Sequence, residues 1–339
     1  MKTATRDRPS QESATMQAIV QDSYGDAADV LRLEETARPV IGDRDVLLRV
    51  HAVGIDRGVW HLMTGLPYPV RLAGYGIRAP KTRVRGREVA GRVEAVGKDV
   101  TAFQPGDEVF GIAEGALGEY ACASPEKLAH RPQNLTAVEA AAVSISALTA
   151  LQAVRDHGHV QAGQQVLVIG ASGGVGTFAV QIAKAYGADV TGVCSTTKLD
   201  MVKSIGADRV IDYTRAGIAD EARRYDVIID TGGNRPLSQL RRALTPTGTL
   251  VIVGGETGGR WLGGFDRALR APLLSRFVGQ QLATFMCSEN AADLLVLADL
   301  IKSGKVTPVI DKTYPLSQTP DAIRYMQAGH ARGKVVITI

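Results

Sequence analysis

The stretch VLVIGASGGVG, Val166 to Gly176, sets four bulky aliphatics directly before a turn that holds four glycines. A strand that stops beneath a phosphate calls for that composition. The small-residue positions of a dinucleotide fingerprint fall on Ala171, Gly173 and Gly176, with Gly174 added. The first permits a tight turn, the second close approach of a diphosphate, and the third helix–strand packing. Ser172 and Val175 complete the turn, whose backbone N–H groups face an anion with the positive end of a helix dipole behind them. The competing reading is a tight turn between a buried strand and a helix. The surrounding succession of strands and helices favours the dinucleotide.

The choice of dinucleotide is read after the next strand. An acidic residue there would hold the ribose hydroxyls of NAD and repel a 2′-phosphate. The segment VTGVCSTTKLD has none before Asp200 and offers Ser195, Thr196, Thr197 and Lys198 instead. Hydroxyls with one cation suit a phosphate dianion, so NADP(H) is the expected cofactor. The alternative leaves Lys198 as a solvated residue at a helix start. Tyr213, which ends RVIDY, either flanks the adenine ribose or is a buried strand-end tyrosine.

The elements around the turn must place it. Early segments such as MQAIVQ, DVLLRVHAVGI and GREVAGRVEAVG are strand-like and punctuated by Gly, Pro and Asp, which describes a compact β-rich unit. From VLVIG onward, short Val/Ile/Leu runs alternate with helical periodicity, as a parallel sheet covered on both faces requires. Right-handed crossovers then give a doubly wound domain. QQLATFM is expected to be its last strand, and GRWLGGFDRALRAPLLSRF a mobile excursion before it. PVIDKTYPL and KVVITI are expected to rejoin the β-rich unit, which makes that unit discontinuous.

Composition limits the rest. A chain of 339 residues exceeds one ordinary core, so two domains are expected. The excess of 39 basic over 35 acidic residues is small. Apart from a cluster at Arg78, Lys81, Arg83, Arg85 and Arg87 it is dispersed, and no basic stripe interleaved with aromatics argues for nucleic acid. That cluster fits a basic substrate entrance or a solvated loop. Three widely spaced cysteines fit a reducing compartment, and no apolar run approaches the length of about 18 residues that a membrane span needs. Residues 1–15 are polar and are expected to form a disordered tail without a signal core. A cytoplasmic protein is the expectation.

Gly163 to Lys184, GQQVLVIGASGGVGTFAVQIAK, resembles the signature of the quinone oxidoreductase branch of medium-chain dehydrogenases/reductases, with Gln181 and Lys184 at matching spacing. Gly86, Glu88, Gly91, Gly97 and Val100 resemble the superfamily's GHExxGxxxxxGxxV block. The resemblance implies an α/β architecture: a Rossmann NADP(H)-binding domain over 141–287 and a GroES-like catalytic domain over 16–140 and 288–339. It further implies a cleft between them that takes a small-molecule substrate, and a homodimer. Thr149 and the Gly254–Gly255 pair match positions that lie close to the cofactor, and Lys334 and Arg332 fall on a final loop where they could meet its phosphates.

The zinc-dependent branch places a cysteine and a histidine where this chain has Asp56 and Arg87. Zinc sites favour thiolate and imidazole, and an arginine would repel the ion, so no metal is expected. The zinc-free branch carries an Asn-x-x-Asp-x-Tyr pattern where this chain has Asp56, Val59 and His61, and Tyr68 matches a later active-site tyrosine after one inserted residue. Without a Lewis acid, hydride is expected to reach a carbon that is already electrophilic, as in a quinone or an α,β-unsaturated carbonyl. His61 and Tyr68 are the candidate proton donors, with Asp56 orienting one of them or the cofactor ribose. His61 could equally fill space beside Trp60 and Leu62. The alternatives for the whole chain are an NADP-dependent alcohol/ketone oxidoreductase or a nucleotide-binding protein without turnover.

Overall fold

The computed structural model describes residues 15–218, 223–233, 235–254 and 259–339. The expected tail therefore lies outside the described residues except at Thr15, which is corrected: it opens strand β1 (Thr15–Val20), paired antiparallel with β2 (Arg32–Ala37). Five further strands of the N-terminal half are β3 (Val46–Ile55), β4 (Glu88–Val96), β5 (Glu108–Ile112), β6 (Tyr120–Ala123) and β7 (Leu128–His130). The second half supplies β8 (Gln165–Ile169), β9 (Asp189–Cys194), β10 (Arg209–Asp212), β11 (Tyr225–Asp230), β12 (Leu244–Ile252), β13 (Gln281–Thr284), β14 (Ile310–Pro315) and β15 (Lys334–Thr338).

These strands form two main sheets. One is parallel with the order β10-β9-β8-β11-β12-β13. The central strands β8 and β11 are buried almost throughout, as their unbroken aliphatic runs demand. Strand order reverses between β8 and β11, so the crevice beyond Ile169 and Asp230 is the topological switch point where ligands bind in such sheets. The expected last strand is β13 at the sheet's edge. GRWLGGFDRALRAPLLSRF, expected as an excursion before that strand, carries two helices, Gly259–Leu262 and Phe265–Ser275.

The other sheet has the order β14-β15-β3-β4-β5-β7, with β6 also paired to β3. It is antiparallel except for the β14–β15 pair, and β15 bonds β3 across nearly the whole sequence. The β-rich unit is therefore closed by the C-terminus. The helix Ala291–Lys302 packs on both the Ser144–Gln152 helix and β7. Its Leu294, Leu297 and Ile301 share one apolar cluster with Val166, Phe178 and Phe110, so the core runs without a break between the expected domains at 140/141 and 287/288.

Candidate active site

A cavity of about 410 Å³ lies where the two sheets meet, a size ordinary for a small-molecule site. The strand β3 ends at Ile55, and Asp56 then caps the helix Arg57–Thr64, its Oδ1 accepting from Val59 N–H at 3.0 Å. Asp56 Oδ2 is buried with no partner among the described residues, and Asp56 lines the cavity. One turn further, His61 lines the same wall. Its Nδ1 lies 2.7 Å from the Leu66 carbonyl. A carbonyl only accepts, so Nδ1 carries a proton and Nε2 is the nitrogen left for a substrate.

Tyr68 is a correction. It is not among the residues that line the cavity. Its ring meets Trp261 edge-on at 5.1 Å and lies under the Arg71 guanidinium, and its N–H donates to Arg260 C=O at 3.0 Å. Tyr75 takes the wall instead. The inserted Pro67 lies against Gly263, and these two residues line the cavity while the Tyr68 ring turns to Trp261 and Arg71.

The glycine turn reaches the cavity through Val175. Gly173 is the N-cap of the helix Gly174–Ala185 and provides no side-chain cap, so the turn leaves its N–H groups for a ligand. Gly176 sits against the strand end: a Cβ there would lie 2.0 Å from Gly170 O. Ala171 is fully buried beneath the turn and Ser172 nearly so. Ser172 C=O accepts from Gly333 N–H at 2.8 Å, which ties the final loop to the turn. Thr149 and Gly254 both line the cavity, with Thr149 Oγ1 donating back to Ile145 C=O at 2.7 Å. Gly255 lies outside the described residues.

The region after β9 is arranged differently from its sequence expectation. Lys198 Nζ donates to the carbonyls of Gly329 at 3.1 Å and Ala331 at 2.9 Å. Burial holds its amine below the ordinary lysine range, with Asp311 opposing and nearby Arg332 adding repulsion. Lys198 is thus neither a freely solvated residue nor an unengaged phosphate donor. Ser195 precedes it as N-cap of a short 3-10 turn. Tyr213 is 54% exposed, which rules out the buried strand-end reading. Asp212, at the end of β10, was missed; it accepts from Thr196 and Thr214 hydroxyls, and that bonding from Thr196 first and Thr214 next holds its carboxyl below the usual range.

Lys334 is a second correction. It is 2% exposed and pairs with the wholly buried Glu88, while Ser146 Oγ accepts from its Nζ at 2.9 Å. Ser146 N–H completes the group by donating to Glu88 Oε1 at 3.1 Å. Burial pushes the Glu88 carboxyl up to about 7 against the pull of Lys334. The ammonium is spent on this internal pair rather than exposed on a loop. The basic cluster is also largely engaged: Arg83 pairs with Asp22 and Glu34, and Arg85 donates to Gln21. Only Arg87 of that cluster lines the cavity.

Comparison with known proteins agrees with this geometry. A family described as "Alcohol dehydrogenase GroES-like domain" matches residues 42–140, and one described as "Zinc-binding dehydrogenase" matches 205–337. The chain is 33% identical to the mouse mitochondrial NAD(P)H oxidoreductase RTN4IP1, covering 97% of this chain and 91% of that one. It is also 33% identical to a tomato (Solanum lycopersicum) 2-methylene-furan-3-one reductase, over 95% of this chain and 79% of the relative. The solved quinone oxidoreductase of Coxiella burnetii superposes with a TM-score of 0.82 at 27% identity, covering 96% of this chain and all of that one. A nicotinamide cofactor follows from this kinship. Zinc fits less well. The cavity wall presents a guanidinium, a carboxylate that caps a helix and an imidazole whose Nδ1 is already bonded, and no cluster of three metal-ligating residues occurs among the described residues. By fold, sheet order and matched sequence, the chain belongs to the medium-chain dehydrogenase/reductase superfamily, as a quinone oxidoreductase-like member.

Proposed function

We propose that the chain is a zinc-independent, NADPH-dependent reductase that adds hydride to a quinone or to a carbon–carbon double bond conjugated with a carbonyl. The observation that carries the proposal is the convergence of Val175, from the glycine turn, with Asp56, His61 and Arg87 on one mostly apolar cavity. The reduced nicotinamide, when bound, supplies the hydride. The chain supplies position and protons: the glycine turn holds the diphosphate, Asp56 caps the helix that aims His61, and Asp56 Oδ2 can accept from a ribose hydroxyl. His61 Nε2 faces the acceptor as the proton relay while the Leu66 carbonyl fixes its tautomer. The tomato relative, by its name, reduces a conjugated furanone, and the Coxiella protein a quinone.

Zinc independence is supported by the wall chemistry, in which a cation already stands where an ion would have to bind. NADPH is supported by the absence of a carboxylate between Cys194 and Lys198 at the end of β9. A homodimer in a reducing cytoplasmic compartment completes the proposal. In keeping with that compartment, Cys122, Cys194 and Cys287 are free, and burial first of all pushes each thiol up to about 11.

The test is NADPH consumption after exhaustive chelation, compared across a quinone, a 2-alkenal and a saturated ketone. Turnover of the first two without added metal is expected, and His61→Gln should slow it with cofactor affinity unchanged. A ketone-only profile, or a requirement for added zinc, rejects the proposal; tight NADPH binding with no turnover on any acceptor favours a non-catalytic nucleotide binder. Lys198→Ala should weaken NADPH binding by about 10-fold, the scale of one charge-assisted contact, and leave NADH unaffected. Equal losses for both, read by cofactor fluorescence, would assign Lys198 to holding the 329–331 loop alone.

A further inference from the structure

We infer that Arg87 is the electrophile of this site: its guanidinium receives the carbonyl oxygen of an uncharged conjugated acceptor and holds the enolate that forms. The inference rests on the reductase reading above and specifies the substrate class for it.

Three observations place the guanidinium for that task. The backbone at residue 87 is fixed, because its C=O accepts from Ala113 N–H at 2.9 Å just before β4 begins. The side chain reaches across to Glu289, with Nη2 2.6 Å from Oε2, and Glu289 also takes Lys127 Nζ at 3.0 Å. Two cations therefore share Glu289, while Asp56, the carboxylate that lines the cavity, is not hydrogen-bonded to the guanidinium. Guanidinium has five N–H donors, and among the described residues the Arg87 side chain hydrogen-bonds only Glu289. Its remaining donors are available to an oxygen in the cavity that Arg87 lines.

Such a donor is effective because it is oriented before the reaction. Glu289 anchors one edge of a planar fork, so little reorganisation is needed when charge develops on the oxygen. Apolar wall residues such as Leu62, Val70 and Ile145 keep the local dielectric low and strengthen the contact. In the step itself, hydride carrying two electrons bonds to the β-carbon, and the π pair of the C=C shifts to form the enolate. The negative charge on oxygen is met by Arg87. The enolate pair then takes a proton at the α-carbon from Nε2 of His61 in its imidazolium form, which leaves the Nδ1–H tautomer and is recharged at Nε2 from water. The product is the saturated carbonyl compound and oxidised cofactor, with no further oxidant or reductant.

The test uses the full-length protein with NADPH and two matched acceptors, neutral 3-penten-2-one and carboxylated 4-oxo-2-pentenoate. Arg87→Gln should lower kcat on 3-penten-2-one by about 100-fold, the scale of one lost oxyanion donor, with KM within about threefold. Arg87→Ala should regain turnover when guanidinium ion is added at concentrations below those that unfold the protein. NADPH affinity, read by fluorescence, should not move. Glu289→Gln, which keeps the guanidinium but frees its anchored edge, should lose about 10-fold in kcat and gives a readout if the Arg87 variants do not fold. Unchanged kcat in Arg87→Gln would overturn the inference, as would a KM rise confined to 4-oxo-2-pentenoate, which would make Arg87 a carboxylate anchor. If the wild-type protein reduces neither acceptor, the reductase reading fails first. If it reduces both and the Arg87 variants match it, only this inference fails.

Discussion

Gly176→Val is expected to abolish nicotinamide cofactor binding and to destabilise the fold by about 3 kcal/mol, the upper end of ordinary overpacking. The cause is distance rather than backbone strain. A Cβ at 176 would stand 2.0 Å from Gly170 O and 2.8 Å from Ala171 Cα, both of them backbone atoms at the end of the central strand β8. Nothing there can rotate away. The helix Gly174–Ala185 would have to lift off the strand end, and its first N–H groups would leave the position from which they meet a diphosphate. Gly174→Ala provides the contrast: its nearest neighbour would be Lys334 Cδ at 3.1 Å, part of a flexible side chain. Thermal unfolding and NADPH fluorescence should separate the two variants clearly. Equal behaviour would mean that the turn is plastic and that its glycines are not set by packing against β8.

The difference between these glycines also shows what the amino-acid sequence makes legible. The turn was readable because all of its determinants lie in one continuous stretch, Gln165 to Ala185: aliphatic strand, small residues, apolar helix. The placing of His61 beside Asp56 on the cavity wall was legible for the same reason, since Asp56 and the helix it caps are adjacent in the chain. Tyr68 was not, because its ring turns to Trp261, nearly two hundred residues away. The Gly, Trp and Arg content of the excursion before β13 suggests mobility. Arg267 within it instead pairs at 2.5 Å with Asp230, a fully buried residue at the end of β11. A charge pair of that kind leaves no periodic signal. Arg87 was legible as one of a basic cluster and as a residue ill suited to bind a metal; its place on the cavity wall and its pairing with Glu289 required the fold.

Lys334 is the extreme case, for its partner Glu88 lies 246 residues earlier. Lys334→Met is expected to cost about 3–5 kcal/mol well above pH 7, where Glu88 must ionise without its partner or hold its proton against solvent. The desolvated carboxylate, not the lost attraction, sets the size of the loss. Glu88 is fully buried, and burial already raises its carboxyl from 4.5 to about 7 with the ammonium in place. Removing the ammonium raises it further. A carboxyl whose folded-state pKa exceeds its unfolded value favours folding fully below the unfolded value, and that advantage is lost as pH rises through the folded one. The variant's deficit relative to the parent should therefore be smallest below pH 7, where the carboxyl is protonated in both folded proteins, and grow as pH rises above 7. Denaturant unfolding of both proteins from about pH 6 to 9 measures the difference in slope. The double variant Glu88→Leu/Lys334→Met should recover most of the stability, because an apolar pair of similar volume carries no desolvation cost. It should also flatten the pH dependence. A single variant with a pH-independent loss would instead assign Lys334 to packing against Gly174 and the glycine turn, with its charge contributing nothing.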